Sequence, residues 1–388
     1  MSNSLTIVAK RMAFSAACLG ILIFGIVMAI LGALLPSIIT KFGMEMSKAG
    51  SLFMVMTFGM LGGSILFGPL ADRFGYRWIL VLSTLLISLG FYGIAVAGGM
   101  TALVGALLAI GLGGGVVNGG TNSLVADIYP ENRGGGLSLL GVFFGVGAFG
   151  TPFLLGSLLD LYTYESLMAA LAWTMAAPLL FFALVHYPEP KQAEGFPVRE
   201  ALKLTREKPL LLFGAILFMQ SGLEMTMGGW TSTYLEQEIG MQGSRAVLFL
   251  SFYWAGMMVA RTGLGKLLGR IGSYKILYGS LSISLLGAIL MISALSQNLA
   301  IAGITLLGVG LAAGFPVILG LVGDRYTHLS GTAFSLVLTI GLTGGMIVPW
   351  FIGVLAGGTT IRTALGILPL LLLLIFFLLG RVRDSTGE

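Results

Sequence analysis

The sequence predicts an all-α integral membrane protein, with twelve transmembrane helices in two pseudo-symmetric six-helix bundles. Three observations carry this prediction. Of 388 residues, 56% are hydrophobic and only 10% charged, against about 25% charged in soluble domains. The apolar residues gather into twelve charge-poor runs, each near the ~20 residues that a helix needs to cross a bilayer. A short loop motif also recurs about half a chain length apart.

The runs follow in order. Met12–Thr40 is longer than a signal-peptide core and is expected to stay in the protein as the first span. Ala49–Ala71 gives the second. Trp78–Ala126 is too long for one helix and is expected to form two, broken at Ala97–Thr101. Gly134–Leu159 and Ser166–Pro188 complete six. Beyond the polar segment Glu189–Lys208 come Pro209–Tyr234, Ala246–Gly265, Ile276–Leu295, Asn298–Gly323, Ser330–Ile361 and Thr363–Gly380. The expected organisation is thus an N-terminal bundle (1–188), a cytoplasmic linker (189–208) and a C-terminal bundle (209–388). The 59 glycines suit helices that approach one another closely in lipid.

Basic residues orient the chain. With both termini and the even-numbered loops on the cytoplasmic side, those segments hold sixteen of the 21 lysines and arginines; the opposite loops hold only Lys41, Lys48, Arg245 and Arg362, and Arg261 lies within a helix. This asymmetry predicts cytoplasmic termini in the cell's inner (cytoplasmic) membrane. The net charge of +5 is spread over many short loops, so it reads as topology and excludes nucleic acid as a partner. Cys18 is the only cysteine, and His186 and His328 sit far apart near helix ends. No disulfide framework, metal site or cofactor is expected, and no nucleophile–base pair or phosphate loop suggests an enzyme.

Glu224 is the most informative residue. It stands in the middle of an otherwise uncharged span, where an ionisable side chain costs at least ~2.5 kcal/mol and marks a functional site by default. Gln220, Glu224 and Thr231 share a helix face at i, i+4 and i+11, with Ser221 about one turn before the carboxylate. Gly228 and Gly229 are expected to let the helix bend or unwind, and Trp230 to stack on a solute or close an outer gate. Two readings stay open: Glu224 exchanges a proton or binds solute, or it stays protonated and ties neighbouring helices together. Counted from the cytoplasmic helix ends, Arg261 is expected to lie on the order of 15 Å from Glu224 in height, too far for an ion pair. Asn118, Thr121 and Asn122 recur at i, i+3 and i+4 on the fourth helix, as cavity contacts or interhelical bonds. Phe143 and Phe144 on the fifth helix, with Tyr253 and Trp254 on the eighth, offer aromatic walls or simple packing.

The repeat is visible in two loops. Gly68-Pro-Leu-Ala-Asp72-Arg73-Phe-Gly75-Tyr-Arg77 follows the second helix. Gly265-Lys-Leu-Leu-Gly269-Arg270-Ile-Gly272-Ser-Tyr-Lys275 follows the eighth, 197 positions on. The first loop resembles the G-x-L-a-D-R-x-G-r-r loop of the major facilitator superfamily. That resemblance implies two six-helix bundles rocking around a central cavity, with no cofactor. It also implies an inward gate formed by Asp72, Arg73 and Arg77, joined by Asp127 and Arg133, with Arg270 from the second copy. Gly269 replaces the acidic residue there, so an asymmetric gate is expected.

Scattered stretches resemble the fucose/glucose/galactose:proton symporter branch. These are Gly222-Leu-Glu224 with Gly229-Trp230 and Tyr234; Asn122, Pro130 and Arg133; Phe144-Gly-x-Gly147-Ala148 and Pro152; and Phe315-Pro316, Gly344-Gly345 and Pro349. Acidic positions that some members carry on the first and fourth helices correspond to Gly32 and Asn118 here, which leaves Glu224 alone for proton coupling. Together the residues and the resemblance predict a monomeric alternating-access transporter in the lipid bilayer, coupling protons to uptake of a sugar or similar small polar solute. Asn118, Asn122, Phe144, Gln220, Glu224, Trp230 and Trp254 are its expected solute contacts. A drug or lipophilic-cation exporter and a non-transporting membrane sensor are the alternatives.

Overall fold

A computed structural model describes residues 7–129, 133–189, 204, 206–326 and 330–386; the side chains at positions 72, 133, 330 and 384–386 lie outside it. Twelve of its helices are long and apolar enough to cross a membrane, and no strand occurs among the described residues. In chain order they are α1 (Ile7–Phe42), α2 (Met46–Ala71), α3 (Arg73–Val96), α4 (Met100–Ile128), α5 (Arg133–Leu158) and α6 (Tyr164–Leu184). The second set is α7 (Lys208–Gln237), α8 (Gly243–Leu268), α9 (Ser273–Ile292), α10 (Gln297–Arg325), α11 (Ser330–Gly358) and α12 (Ile361–Arg383). The expected split of Trp78–Ala126 falls between Val96 and Met100.

Local chemistry sets the ends. Gly43 after α1 and Gly240 after α7 both take a left-handed φ, 56° and 71°, which a residue with a Cβ adopts poorly. Thr163 and Thr360 cap α6 and α12 by accepting from the backbone N–H groups of Ser166 and Thr363. Each of these pairs is 197 positions apart, the spacing of the loop motif. At the first loop the chain turns at Gly75, with φ 72° and ψ 168°. Its counterpart Gly272 has φ −60°, so the two loops turn differently.

The same spacing runs through the helix contacts. A Cβ on Gly111 of α4 would strike the carbonyl oxygen of Met56, and one on Gly308 of α10 that of Tyr253. Likewise Gly59 abuts Leu108 and Gly256 abuts Thr305, while Gly113 abuts Ser83 and Gly310 abuts Ser280. Lipid tails are as apolar as leucine, so association here rests on van der Waals contact, which small residues bring to backbone range. The duplicated pattern of glycines is therefore the duplicated pattern of helix packing.

Packing divides the chain into two compact units, one formed by Met1–Leu34 with Val55–Glu194 and the other by Leu35–Met54 with Gly195–Glu388. Within the second unit, a Cβ at Gly50 would lie 3.0 Å from the Trp350 carbonyl oxygen, and the rings of Phe53 and Trp230 meet at 5.7 Å. At one end of this unit, Arg362 donates to the carbonyls of Ile292 (3.2 Å) and Ala294 (2.8 Å) and pairs with Glu238 at 3.5 Å, stapling α7, α9 and α12.

Gly308→Val should thus destabilise by about 1–3 kcal/mol or more through overpacking, lowering the melting temperature of detergent-purified protein. Gly105→Val, whose Cβ would meet open space, should leave it unchanged. Equal shifts in the two variants would contradict tight backbone contact at α10.

Candidate functional site

Glu224 lies on α7 with its side chain 11% exposed, and three side chains gather around it within the second unit. One is Gln220, one turn earlier and 2% exposed. Its amide Nε2 donates to Glu224 Oε1 at 2.8 Å and to the Leu311 carbonyl at 2.8 Å, which uses both amide hydrogens. Arg261 of α8 places Nη2 3.7 Å from Glu224 Oε2, while its Nε donates to the Ala312 carbonyl at 3.3 Å. Tyr253, a further side chain of α8, donates its hydroxyl to the Glu224 backbone carbonyl at 3.4 Å and meets the Trp254 ring edge-on at 5.0 Å.

The carbonyls that meet Gln220 and Arg261 belong to a break in α10. The helical hydrogen bonding lapses between Leu311 and Gly314, although Ala312 (φ −59°, ψ −34°) and Ala313 (φ −85°, ψ −22°) keep helical backbone angles. The cause is local: Ala312 would bond the N–H of residue 316 in a continuous helix, and Pro316 has none. A Cβ on Gly314 would run into the Gln220 amide, so glycine there makes room for the amide at the break.

The ion pair corrects the expectation that Arg261 stands too far from Glu224. That expectation ended the helix near Gly265, whereas α8 continues to Leu268. Three added residues sink Arg261 about 4.5 Å deeper at 1.5 Å per residue, and the long arginine stem spans the remainder. The helix of Glu224 is also unbroken through Gly228 and Gly229. These glycines do not bend it; they admit neighbouring rings. A Cβ on Gly228 would lie 2.9 Å from the Trp254 indole, and one on Gly229 would meet Phe53.

The other expected residues lie as follows. Trp230 is fully buried on another face of α7, its Nε1 donating to the Pro349 carbonyl at 3.0 Å. Thr231 turns its hydroxyl back onto the Met227 carbonyl. In the first unit, the Asn122 amide donates to the Asn118 backbone carbonyl at 2.8 Å and to its Oδ1 at 3.0 Å, and Phe144 tilts against Phe24 at 5.8 Å. Among the expected gate residues, Tyr76 donates to Asp127 Oδ2 at 2.7 Å, and Arg77 donates to the Val185 carbonyl at 3.3 Å. Arg73 lies over the Phe74 ring at 5.3 Å, and Arg270 is exposed. The side chains of Asp72 and Arg133, and all of His328, lie outside the described residues. Sequence reasoning missed Arg261 and Tyr253 as neighbours of Glu224, and missed the break in α10; Pro316 was the available signal.

The profile of the Major Facilitator Superfamily matches residues 17–301, well over half of the chain. The chain belongs to that superfamily. With its twelve apolar helices, it is therefore a multi-pass membrane protein. It is 25% identical to the glucose/mannose transporter GlcP of Bacillus subtilis over 65% of each chain. It is also 25% identical to a putative glucose/galactose transporter of Helicobacter pylori over 75% of each. An MFS-type transporter of Yersinia pestis is 28% identical over 42% of this chain and 43% of its own. The Yersinia and Bacillus matches thus span less than two thirds of those relatives' own length. Among solved structures, the nucleoside transporter NupG superposes with a TM-score of 0.80 at 14% identity, over 96% of this chain and 99% of its own. A bacterial homologue of the human lysosomal transporter Spinster gives 0.80 at 13%, over 98% of each. At these identities both show the shared fold.

A partly buried ion pair predicts coupled energetics. Arg261→Ala alone leaves Glu224 without its cation, and Glu224→Gln removes the charge that Arg261 faces. The double variant should lose less stability than the two single losses combined, by about 0.5–3 kcal/mol in a double-mutant cycle followed by thermal unfolding. Strict additivity would mean that the 3.7 Å pair contributes nothing.

Proposed function

We propose that the protein couples proton entry to the uptake of a sugar or similar small polar solute by alternating access, with Glu224 carrying the proton. The observation behind this reading is the placement of Glu224: an ionisable carboxyl inside a membrane span, met by an amide, a guanidinium and a broken helix. The spans tolerate such a group only with partners, and the repeat indicates that the fold does not need it. The positions 197 residues earlier than Gln220, Glu224 and Arg261 are Ile23, Val27 and Ser64. The acid and its partners are thus an addition to one half of a duplicated scaffold.

The sugar assignment leans on the relatives named as glucose/mannose and glucose/galactose transporters. Asn118, Asn122, Phe144, Gln220, Trp230 and Trp254 remain the proposed solute contacts beside Glu224. Asp72, Arg73, Arg77, Asp127, Arg133 and Arg270 remain the proposed inward gate. In this reading residues 1–188 and 209–388 are the two moving bundles, joined by 189–208, and a monomer suffices. Lysine and arginine bias supports insertion in the cytoplasmic membrane with both termini inside. Export of lipophilic cations is less well supported, because Arg261 already supplies the positive charge that Glu224 faces.

Two measurements test this reading. In cells with Cys18 replaced, cysteines at Ser2 and Gln242 should label from opposite sides of the membrane; labelling from one side ends the topology. Glu224→Gln holds the side chain neutral while keeping its size. In proteoliposomes it should abolish proton-driven accumulation of labelled glucose while counterflow persists with little pH dependence. Continued uphill accumulation would show that coupling lies elsewhere.

A further inference from the structure

We propose that Gln220 and Arg261 are positioning residues that tie the proton state of Glu224 to the break in α10. This rests on Glu224 carrying the proton. Pro316 deprives the Ala312 carbonyl of its helical donor, and an unpaired buried carbonyl costs about 1–3 kcal/mol. Arg261 Nε supplies a donor at 3.3 Å, and Gln220 Nε2 takes the adjacent Leu311 carbonyl at 2.8 Å. Each of these donors has its other contact on the same carboxylate: Gln220 on Oε1 at 2.8 Å, Arg261 facing Oε2 at 3.7 Å. Both oxygens of Glu224 are therefore linked, through one side chain each, to the two carbonyls at the helix break.

The linkage hangs carboxylate and break on the same two side chains, so a shift of either side chain toward one acceptor weakens its hold on the other. A hydrogen bond to an ionised acceptor is roughly twice as strong as one to a neutral acceptor. An ionised Glu224 draws the Gln220 amide and the Arg261 guanidinium toward α7. Once protonated, it releases both toward α10, and the break is capped more firmly. Among the described residues of this unit, the titratable groups that meet Glu224 are Arg261 and Tyr253, both of α8. The charges of α10 are Asp324 and Arg325 at its far end, and α11 carries none. Arg362 of α12 is engaged with Glu238. Gly314 makes the arrangement specific, since any side chain there would displace the amide.

The repeat supplies an internal control. In the first half, Ile23, Val27 and Ser64 replace the amide, acid and guanidinium, and Gly119 stands where Pro316 does. The corresponding helix α4 runs unbroken from Met100 to Ile128. Between these two corresponding helices, acid, bridges and break are present together or absent together.

Hydrogen–deuterium exchange of purified full-length protein reads the break without requiring a substrate. Exchange of the amides at 313–318, compared between about pH 5 and about pH 8 after correction for intrinsic chemistry, should change in the wild type and stay flat in Glu224→Gln. Gln220→Leu removes one bridge, and Pro316→Ala returns an N–H to Ala312. Each should at least halve the wild-type pH response, and either variant decides the matter if the other fails to fold. A full response in the folded variant, or none in the wild type, overturns the proposal. Proton-driven accumulation that survives Glu224→Gln overturns the proton-carrier reading itself, and the two failures are thereby separate.

Discussion

Hydrocarbon offers no water to a stranded backbone carbonyl, and the site depends on that constraint. A helix can be broken inside a membrane only where protein groups or cavity water replace the lost bond. Pro316 breaks α10, and the carbonyls beside the break are met by Gln220 and Arg261. Those same donors hold Glu224, so the requirement that permits the break also places a carboxyl against it. Glycines do the remaining spatial work. Gly314 clears the Gln220 amide and Gly228 clears the Trp254 ring, and each exchanges a side chain for a polar or aromatic neighbour.

The duplication separates scaffold from chemistry. Contacts such as Gly111 against Met56 and Gly308 against Tyr253, and caps such as Thr163 and Thr360, recur at one spacing throughout both halves. They define what a six-helix half requires in order to pack. Glu224, Gln220, Arg261 and Pro316 have no counterparts. Conversely, the left-handed turn at Gly75 in the first loop is not repeated at Gly272. Each half has kept the common packing and acquired its own departure from it, a loop in the first and a broken, charged core in the second.

Much of the fold was legible because bilayer thickness acts on every span independently. A charge-free run of sufficient length is a helix whatever its neighbours, so the twelve spans, and the division near Ala97, could be read locally. Glu224 was legible as a charge out of place, and Gln220 by its i, i+4 spacing. Arg261 was not, because its depth depends on where α8 ends and how its stem lies, which are tertiary facts. Gly228-Gly229 illustrates a second limit. Glycine serves both flexibility and close approach, and only the presence of Trp254 and Phe53 shows that close approach is its role here. Pro316 was in plain view, yet which side chains would answer its freed carbonyl is a long-range matter.

The charge balance of the site also bears on what it carries. With Glu224 ionised, the pair with Arg261 is neutral, and a partly buried pair of this kind is costly to leave half made. A lipophilic cation seeking Glu224 would have to displace Arg261, exchanging one positive charge for another. A proton needs no such displacement, although it too leaves Arg261 without its counter-charge. It neutralises the carboxylate through a covalent O–H bond and leaves Arg261 in contact with the Ala312 carbonyl at the break. On the proposed reading, the arrangement admits a proton more readily than a bulky cation. It does so through a residue, Arg261, that an inspection of isolated helices would assign to the membrane edge.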